Sequence, residues 1–281
     1  MNNLVKIFLL IIIAISLQAQ SSVTTMFYHL PISYKDSGVR ENSSLTGVYG
    51  AFESDLNNKF ELALDYSDLN YIYNFKIKQY DFTFTYTNES IPEWNFRAGG
   101  HYIISDDPLT DQAYVLFAGV GKYRFRSWDA NFDVYYSNYS DYSPKFNAIQ
   151  LAPSFGLTFP FDRTHGIYFN SSANYIMLSE EILSDKKNYF SLRETLTYYN
   201  NKFSISAYAL FGEQKFAVRQ NGFLVYNVAD LMKNGYGASI TYSFTRNFFL
   251  KGGVEYDKFD EEAYGTSATS TKFVILAGFN F

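Results

Sequence analysis

From about position 45 to the end of the chain, apolar and polar residues alternate with a period of two, the pattern of strands with one greasy face and one polar face. Phe60, Leu62, Leu64 and Tyr66 alternate with Glu61, Ala63, Asp65 and Ser67, and Tyr80, Phe82, Phe84 and Tyr86 with Gln79, Asp81, Thr83 and Thr85. Trp94, Phe96, Ala98, Gly100 and Tyr102 alternate with Asn95, Arg97, Gly99 and His101, and Trp128, Ala130, Phe132, Val134 and Tyr136 with Asp129, Asn131, Asp133 and Tyr135. Phe248, Leu250, Gly252, Val254 and Tyr256 face away from Lys251, Gly253 and Glu255, and the last segment puts Phe273, Ile275, Ala277, Phe279 and Phe281 on one face. These segments run to about ten to thirteen residues, twice the usual strand and the length of a tilted strand crossing a bilayer. Aromatic residues close the ends of the apolar faces, as at two membrane interfaces. A sandwich explains neither the length nor the aromatic ends. The pattern predicts an all-β fold, a transmembrane antiparallel up-and-down β-barrel.

The links support this. Short ones at 88–93, 126–127, 160–165, 199–202 and 245–247 alternate with longer polar ones at 105–112, 137–144, 178–187, 213–234 and 258–269, as turns and outer loops alternate in such barrels. An even strand number requires 23–34 as the first strand although Pro31 interrupts it. Fourteen strands is the expectation, with twelve the alternative if the residues before Phe60 pack elsewhere. Three places fit poorly. Pro153 inside the strand 148–159 predicts a bulge or a missing ladder bond. Glu194 falls in phase with Phe190, Leu192, Leu196 and Tyr198, and a carboxylate facing lipid is costly, so a register change is predicted near Arg193 and Glu194. The stretch 114–125 is apolar on both faces and has no evident phase.

Composition narrows the class further. With 28 Phe and 26 Tyr in 281 residues, β structure is favoured over helix. The absence of Cys excludes disulfides, thiolate metal sites and a lipid-modified N-terminal Cys. Residues 7–17 are a nearly unbroken apolar run after Lys6, followed by small and polar residues, which predicts a secretory signal peptide over 1–19, cut after Ala19, and a single barrel domain over 20–281. The run is too short to span a bilayer. Loss of Lys6 makes the formal charge of −5 one unit more negative, so no nucleic-acid partner is expected.

The leader, the strand pattern and the final segment 271–281 together resemble bacterial outer-membrane β-barrel proteins. The resemblance covers nearly all of the chain after the leader. It implies outer-membrane localisation, contact with outer-membrane lipid, and recognition of Phe273, Phe279 and the C-terminal Phe281 by the barrel-assembly machinery during insertion.

The predicted lumen face carries Glu61, Asp65, Asp81, Arg97, His101, Asp129, Asn131, Asp133, Arg193, Lys251 and Glu255. Acids outnumber bases, which predicts a passive pore for ions or small solutes with a weak cation preference. The alternatives are a structural or partner-binding surface barrel, whose polar interior is simply satisfied, and an outer-membrane lipid-modifying enzyme. For the enzyme, His29, His101 and His165 are the only histidines, and no nucleophile motif surrounds His101, so no catalytic residue is assigned. No cofactor or metal is expected; the acidic stretch 257–262 lacks the calcium-loop pattern. The link 213–234 is unusual, because Lys215-Phe216-Ala217-Val218-Arg219 and Phe223-Leu224-Val225-Tyr226 flank Gln220-Asn221-Gly222, a hairpin signal. Extension above the barrel is the expectation for it; inward folding would make it a constriction.

Overall fold

The structure is a computed structural model that describes residues 22–54 and 57–281, so the predicted leader over 1–19 lies outside the described residues. Sixteen strands follow in chain order: β1 (Ser22–Lys35), β2 (Arg40–Ser54), β3 (Asn58–Tyr71), β4 (Lys76–Asn88), β5 (Trp94–Ser105), β6 (Tyr114–Arg124), β7 (Trp128–Tyr139), β8 (Phe146–Pro160), β9 (Gly166–Leu178), β10 (Asn188–Tyr199), β11 (Phe203–Gly212), β12 (Val218–Arg219), β13 (Leu224–Val225), β14 (Leu231–Ser243), β15 (Phe248–Glu261) and β16 (Thr266–Asn280). Fourteen of them close into one antiparallel barrel; β11 pairs directly with β14, and β16 with β1. The short strands β12 and β13 pair only with each other. Closure satisfies the backbone of every barrel strand on both sides, which a chain surrounded by hydrocarbon requires. The segment with the weakest alternation is therefore a full strand, β1, and the twelve-strand alternative is excluded.

The aliphatic and aromatic face points outward. Leu196 is 53% and Ile275 60% exposed, in a continuous apolar belt suited to lipid rather than to water. Both described ends of the chain lie at one rim, the turn end, where Val23 and Phe281 exchange backbone hydrogen bonds of 3.2 and 2.8 Å. The other rim, the loop end, carries the links that follow β1, β3, β5, β7, β9, β11 and β15.

Two local expectations are corrected, and a third holds in one of its two forms. No register change occurs at Glu194: β10 pairs without interruption with β9 from Asn188 to Tyr199. Glu194 stays on the outer face, where the Ser171 hydroxyl donates to one carboxylate oxygen at 2.9 Å, and the other oxygen is buried without a partner among the described residues. A slip would turn the whole strand inside out, so one awkward carboxylate does not shift it. At Pro153 the missing ladder bond is found rather than the bulge: the β8–β9 pairing skips Ala152 and Pro153 and resumes in the same register. Finally, 258–269 is not a long loop. The β15–β16 ladder runs on to Glu261 opposite Thr266, leaving a tight turn. There the alternation inverts: Lys258 is exposed while Phe259 and Ala268 are buried inside. Above the apolar belt the outside of the tube meets water, so the polar face is the outer one.

Candidate functional site

The site is the lumen, and its two halves differ. The side chains of Glu61, Asp65, Asp81, Arg97, His101, Asp129, Asn131, Asp133, Arg193, Lys251 and Glu255 all stand on the inner wall, because each lies one residue out of phase with its outward-facing neighbours.

Towards the turn end these groups form polar networks. Arg97 bonds Asp133 at 2.8 Å, Asn95 at 2.6 Å and Asn131 at 2.9 Å; Asn131 donates to Asp129 at 3.0 Å, and the Tyr168 hydroxyl to Asp129 at 3.0 Å. Gly119 is required beneath this network, since a Cβ there would sit 1.8 Å from an Asp133 oxygen. Tyr28 donates to Asp65 and Tyr49 to Glu61, which also pairs with Lys59 at 2.9 Å. Lys272 pairs with Glu255 at 3.1 Å. His101 is buried between Thr83, at 2.9 Å from Nδ1, and Asp81, at 3.7 Å from Nε2. Gln79 donates to the same Asp81 at 2.8 Å. Asp106 and Asp107, in the link after β5, accept from the backbone N–H groups of Lys78 and Leu109.

Towards the loop end the inner wall turns apolar. Ile103, Tyr139, Phe146, Ala148, Ile176 and Tyr189 are buried around Phe216 of the β11–β14 insertion. The Phe216 ring lies 4.6 Å from Phe146 and 4.9 Å from Tyr139 between centroids. The insertion therefore does not extend above the barrel as expected; it folds into the lumen. The reason is mutual burial: hairpin and inner wall both carry apolar side chains at this level, and an extended hairpin would leave both in water. The same fact gives β6 its phase. Its outer face meets lipid through Leu116, and its inner face, Val115 and Phe117 with Tyr135 of β7, packs on Val218.

Polar contacts fix the hairpin's height. The Gln150 side chain accepts from Val218 N at 2.8 Å and donates to Val218 O at 2.7 Å. Thr85 donates to the Asn221 carbonyl at 3.4 Å and Asn227 to Gln79 at 2.7 Å. Gln220, Asn221 and Gly222 take positive φ values of 52°, 55° and 84°, as the Asn-Gly hairpin signal implies. Gly222 presses against Phe117, where a Cβ would approach to 3.2 Å. Both roots are pinned at the loop rim: Lys215 reaches Glu262 and the Ile182 carbonyl, and Arg40 pairs with Asp230 and lies 3.7 Å from Glu261. The acidic stretch 257–262 thus serves largely as anchorage. Lys215, Arg219, Asp230, Lys272 and Gln150 were not singled out by alternation. The apolar residues on the loop-end inner faces of β5 to β10 were the signal that something apolar fills this half.

No family model matches the chain, and no curated protein is similar to it in sequence. Solved structures are similar in fold. "CymD monoaromatic hydrocarbon channel" aligns with a TM-score of 0.58 at 6% identity over 95% of this chain and 90% of that one. The toluene transporter TbuX of Ralstonia pickettii aligns at 0.59 and 6%, over 94% and 90%. The outer membrane protein Omp33 of Acinetobacter baumannii aligns at 0.53 and 10%, over 92% and 99%. At such identities the likeness is one of fold, and it meets the class-level resemblance to outer-membrane barrels.

Proposed function

We propose that the chain is a gated passive conduit for small solutes in a bacterial outer membrane, with the loop end outermost and residues 213–230 as the gate. One observation carries this reading: the hairpin interrupts no wall pairing. β11 pairs directly with β14 from Phe203 to Leu210 and the Gln214–Met232 bridge closes the root, so the hairpin beyond Lys215 can leave the lumen without breaking a barrel ladder. The apolar belt supports residence in lipid, and channels and transporters among the fold neighbours support a conduit. Recognition of Phe273, Phe279 and Phe281 by the insertion machinery belongs to the same reading. Selectivity follows the charges that remain free rather than the residue count. The weak cation preference expected from that count belongs to this reading, with Glu61 and Glu255 contributing least because Lys59 and Lys272 pair with them.

The test is conductance in planar bilayers. The refolded full chain should show rare, brief currents, and a chain with 216–226 replaced by a short Gly-Ser link should show steady stepwise ones. Silence of the shortened, folded chain overturns the conduit. It would favour the second reading, a non-conducting surface barrel, which the closed apolar core of the loop-end lumen supports.

A further inference from the structure

Beneath the hairpin tip the lumen holds a cavity of about 480 Å³. Its charged lining looks balanced by count, with Arg193, Lys251 and Lys272 against Glu61, Asp65 and Glu255. Ion pairing tips that balance: Glu61 pairs with Lys59 and Glu255 with Lys272, which leaves Asp65, bonded by the neutral Tyr28 hydroxyl, against Arg193 and Lys251. The side chains of Arg193 and Lys251 have no hydrogen-bond or ion-pair partner among the described residues. The Arg193 guanidinium lies 3.7 Å over the Tyr208 ring, which fixes its plane and leaves its donor edge free. Arg219 of the hairpin adds positive charge behind this wall; it is 7% exposed, and its Nε and Nη2 atoms have no partner. The acids on this side, Glu255 and Asp257, face three cations, Lys272, Arg193 and Arg219, of which Lys272 is already committed to Glu255.

The free cations stand at different heights on the wall: by strand register Arg193 is level with Asp257, six residues along β15 from Lys251. Between Arg193 on β10 and Lys251 on β15 come Ser206 on β11 and Ser239 on β14, which are direct cross-strand partners. Ser206 accepts from Thr197 at 2.9 Å, so its own hydrogen is free to donate. Met26, Leu30 and Leu276 offer an apolar surface in the same cavity. Hydroxyl donors and two unpaired cations, next to an apolar surface, fit an amphipathic anion. We infer that the cavity binds a small organic carboxylate, its charged group held by Arg193 and the two serine hydroxyls with Lys251 further along the wall, and its apolar body against Met26, Leu30 and Leu276. This deepens the conduit reading and rests on it for the route by which the anion arrives. Binding is measured without transport, so the two fail separately.

The experiment is calorimetric titration of the refolded full chain in detergent with three probes of one shape: benzoate, benzamide and benzamidine. Benzoate should bind about tenfold or more tighter than neutral benzamide, and cationic benzamidine weakest of all. Arg193→Gln and Lys251→Gln are each checked for the folded barrel by circular dichroism; Arg193→Gln should weaken benzoate about tenfold, Lys251→Gln less, and both should leave benzamide unchanged. The inference is overturned if the three probes bind alike, if none binds, or if both variants keep the parent's affinity for benzoate. None of these outcomes touches the conductance test.

Discussion

At the loop end of the lumen, Tyr139, Phe146 and Phe216 meet ring against ring within 5 Å. At the turn end, Arg97, Asp133, Asn131 and Asp129 form a chain of hydrogen bonds along the wall. Both sets point inward from strands of the same barrel, and several strands contribute to both: β5 carries Arg97 below and Ile103 above, and β7 carries Asp133 below and Tyr139 above. The contrast shows that in a barrel the period of two decides only inside from outside. Whether the inside is polar or apolar depends on height, and here on what the chain has placed there. The loop-end core holds the inserted hairpin, whereas the turn-end network holds the wall.

The largest expected effect tests that division directly. Phe216→Ala removes the centre of the loop-end core and should weaken docking of the hairpin by about 3–5 kcal/mol. Hydrogen exchange should then rise across 214–226 while the barrel strands keep their protection. Equal loss of protection in the strands would show that hairpin and wall form one cooperative unit. Arg97→Met is the counterpart. It leaves Asp133 facing the lumen without its cation and should lower barrel stability by about 3 kcal/mol, read as a shift in the urea midpoint in detergent. Exchange in 214–226 should stay near that of the parent, and a marked rise there would erase the difference between the halves.

Much of the wall was legible in the amino-acid sequence, because the outward face is selected by one solvent throughout the belt. Lipid accepts Leu196 or Ile275 and rejects most charges, so the alternation there is nearly free of exceptions. Glu194 misled because a residue-by-residue test ignores the ladder: a continuous β9–β10 pairing outweighs one carboxylate, which a neighbouring serine partly satisfies. Residues 258–269 misled because the outer solvent changes above the belt and inverts the pattern. The lumen was half legible. Which residues face inward follows from phase, but which of them pair depends on cross-strand register and on the hairpin, neither of which alternation contains. The path of 213–230 had a trace in the two-faced apolar stretch of β6, whose inner face needs a partner.

Between the two halves lies Gln150, a polar clamp inside an apolar level. Gln150→Leu keeps the bulk but leaves both backbone groups of Val218 unpaired in a buried place. The expected loss in hairpin docking is about 2 kcal/mol, smaller than for Phe216→Ala, by the same exchange measurement. A larger loss than for Phe216→Ala would mean that hydrogen bonds, not apolar contact, hold the gate, and the contrast drawn above would have to be reversed.

The smallest effect is expected at the turn rim, where the links are exposed and have no buried anchors like Lys215 with Glu262. Asp162 sits in the link between β8 and β9, and one of its oxygens accepts from the backbone N–H groups of Thr164 at 2.7 Å and His165 at 2.8 Å. These donors hold its carboxyl well below the usual carboxylate range. A lowered folded value means that the ionised form favours the folded state. The contribution is therefore complete above the ordinary Asp value of about 4 and is lost as the pH falls through the folded value. Asp162→Asn keeps an acceptor oxygen but loses the charge, so at pH 7 it should lower the unfolding midpoint slightly. Below about pH 4 the variant and the parent should draw together. A gap that stays constant from pH 7 to pH 3 would show that the turn is held by shape alone, and that charge matters only at the loop rim, where it is buried.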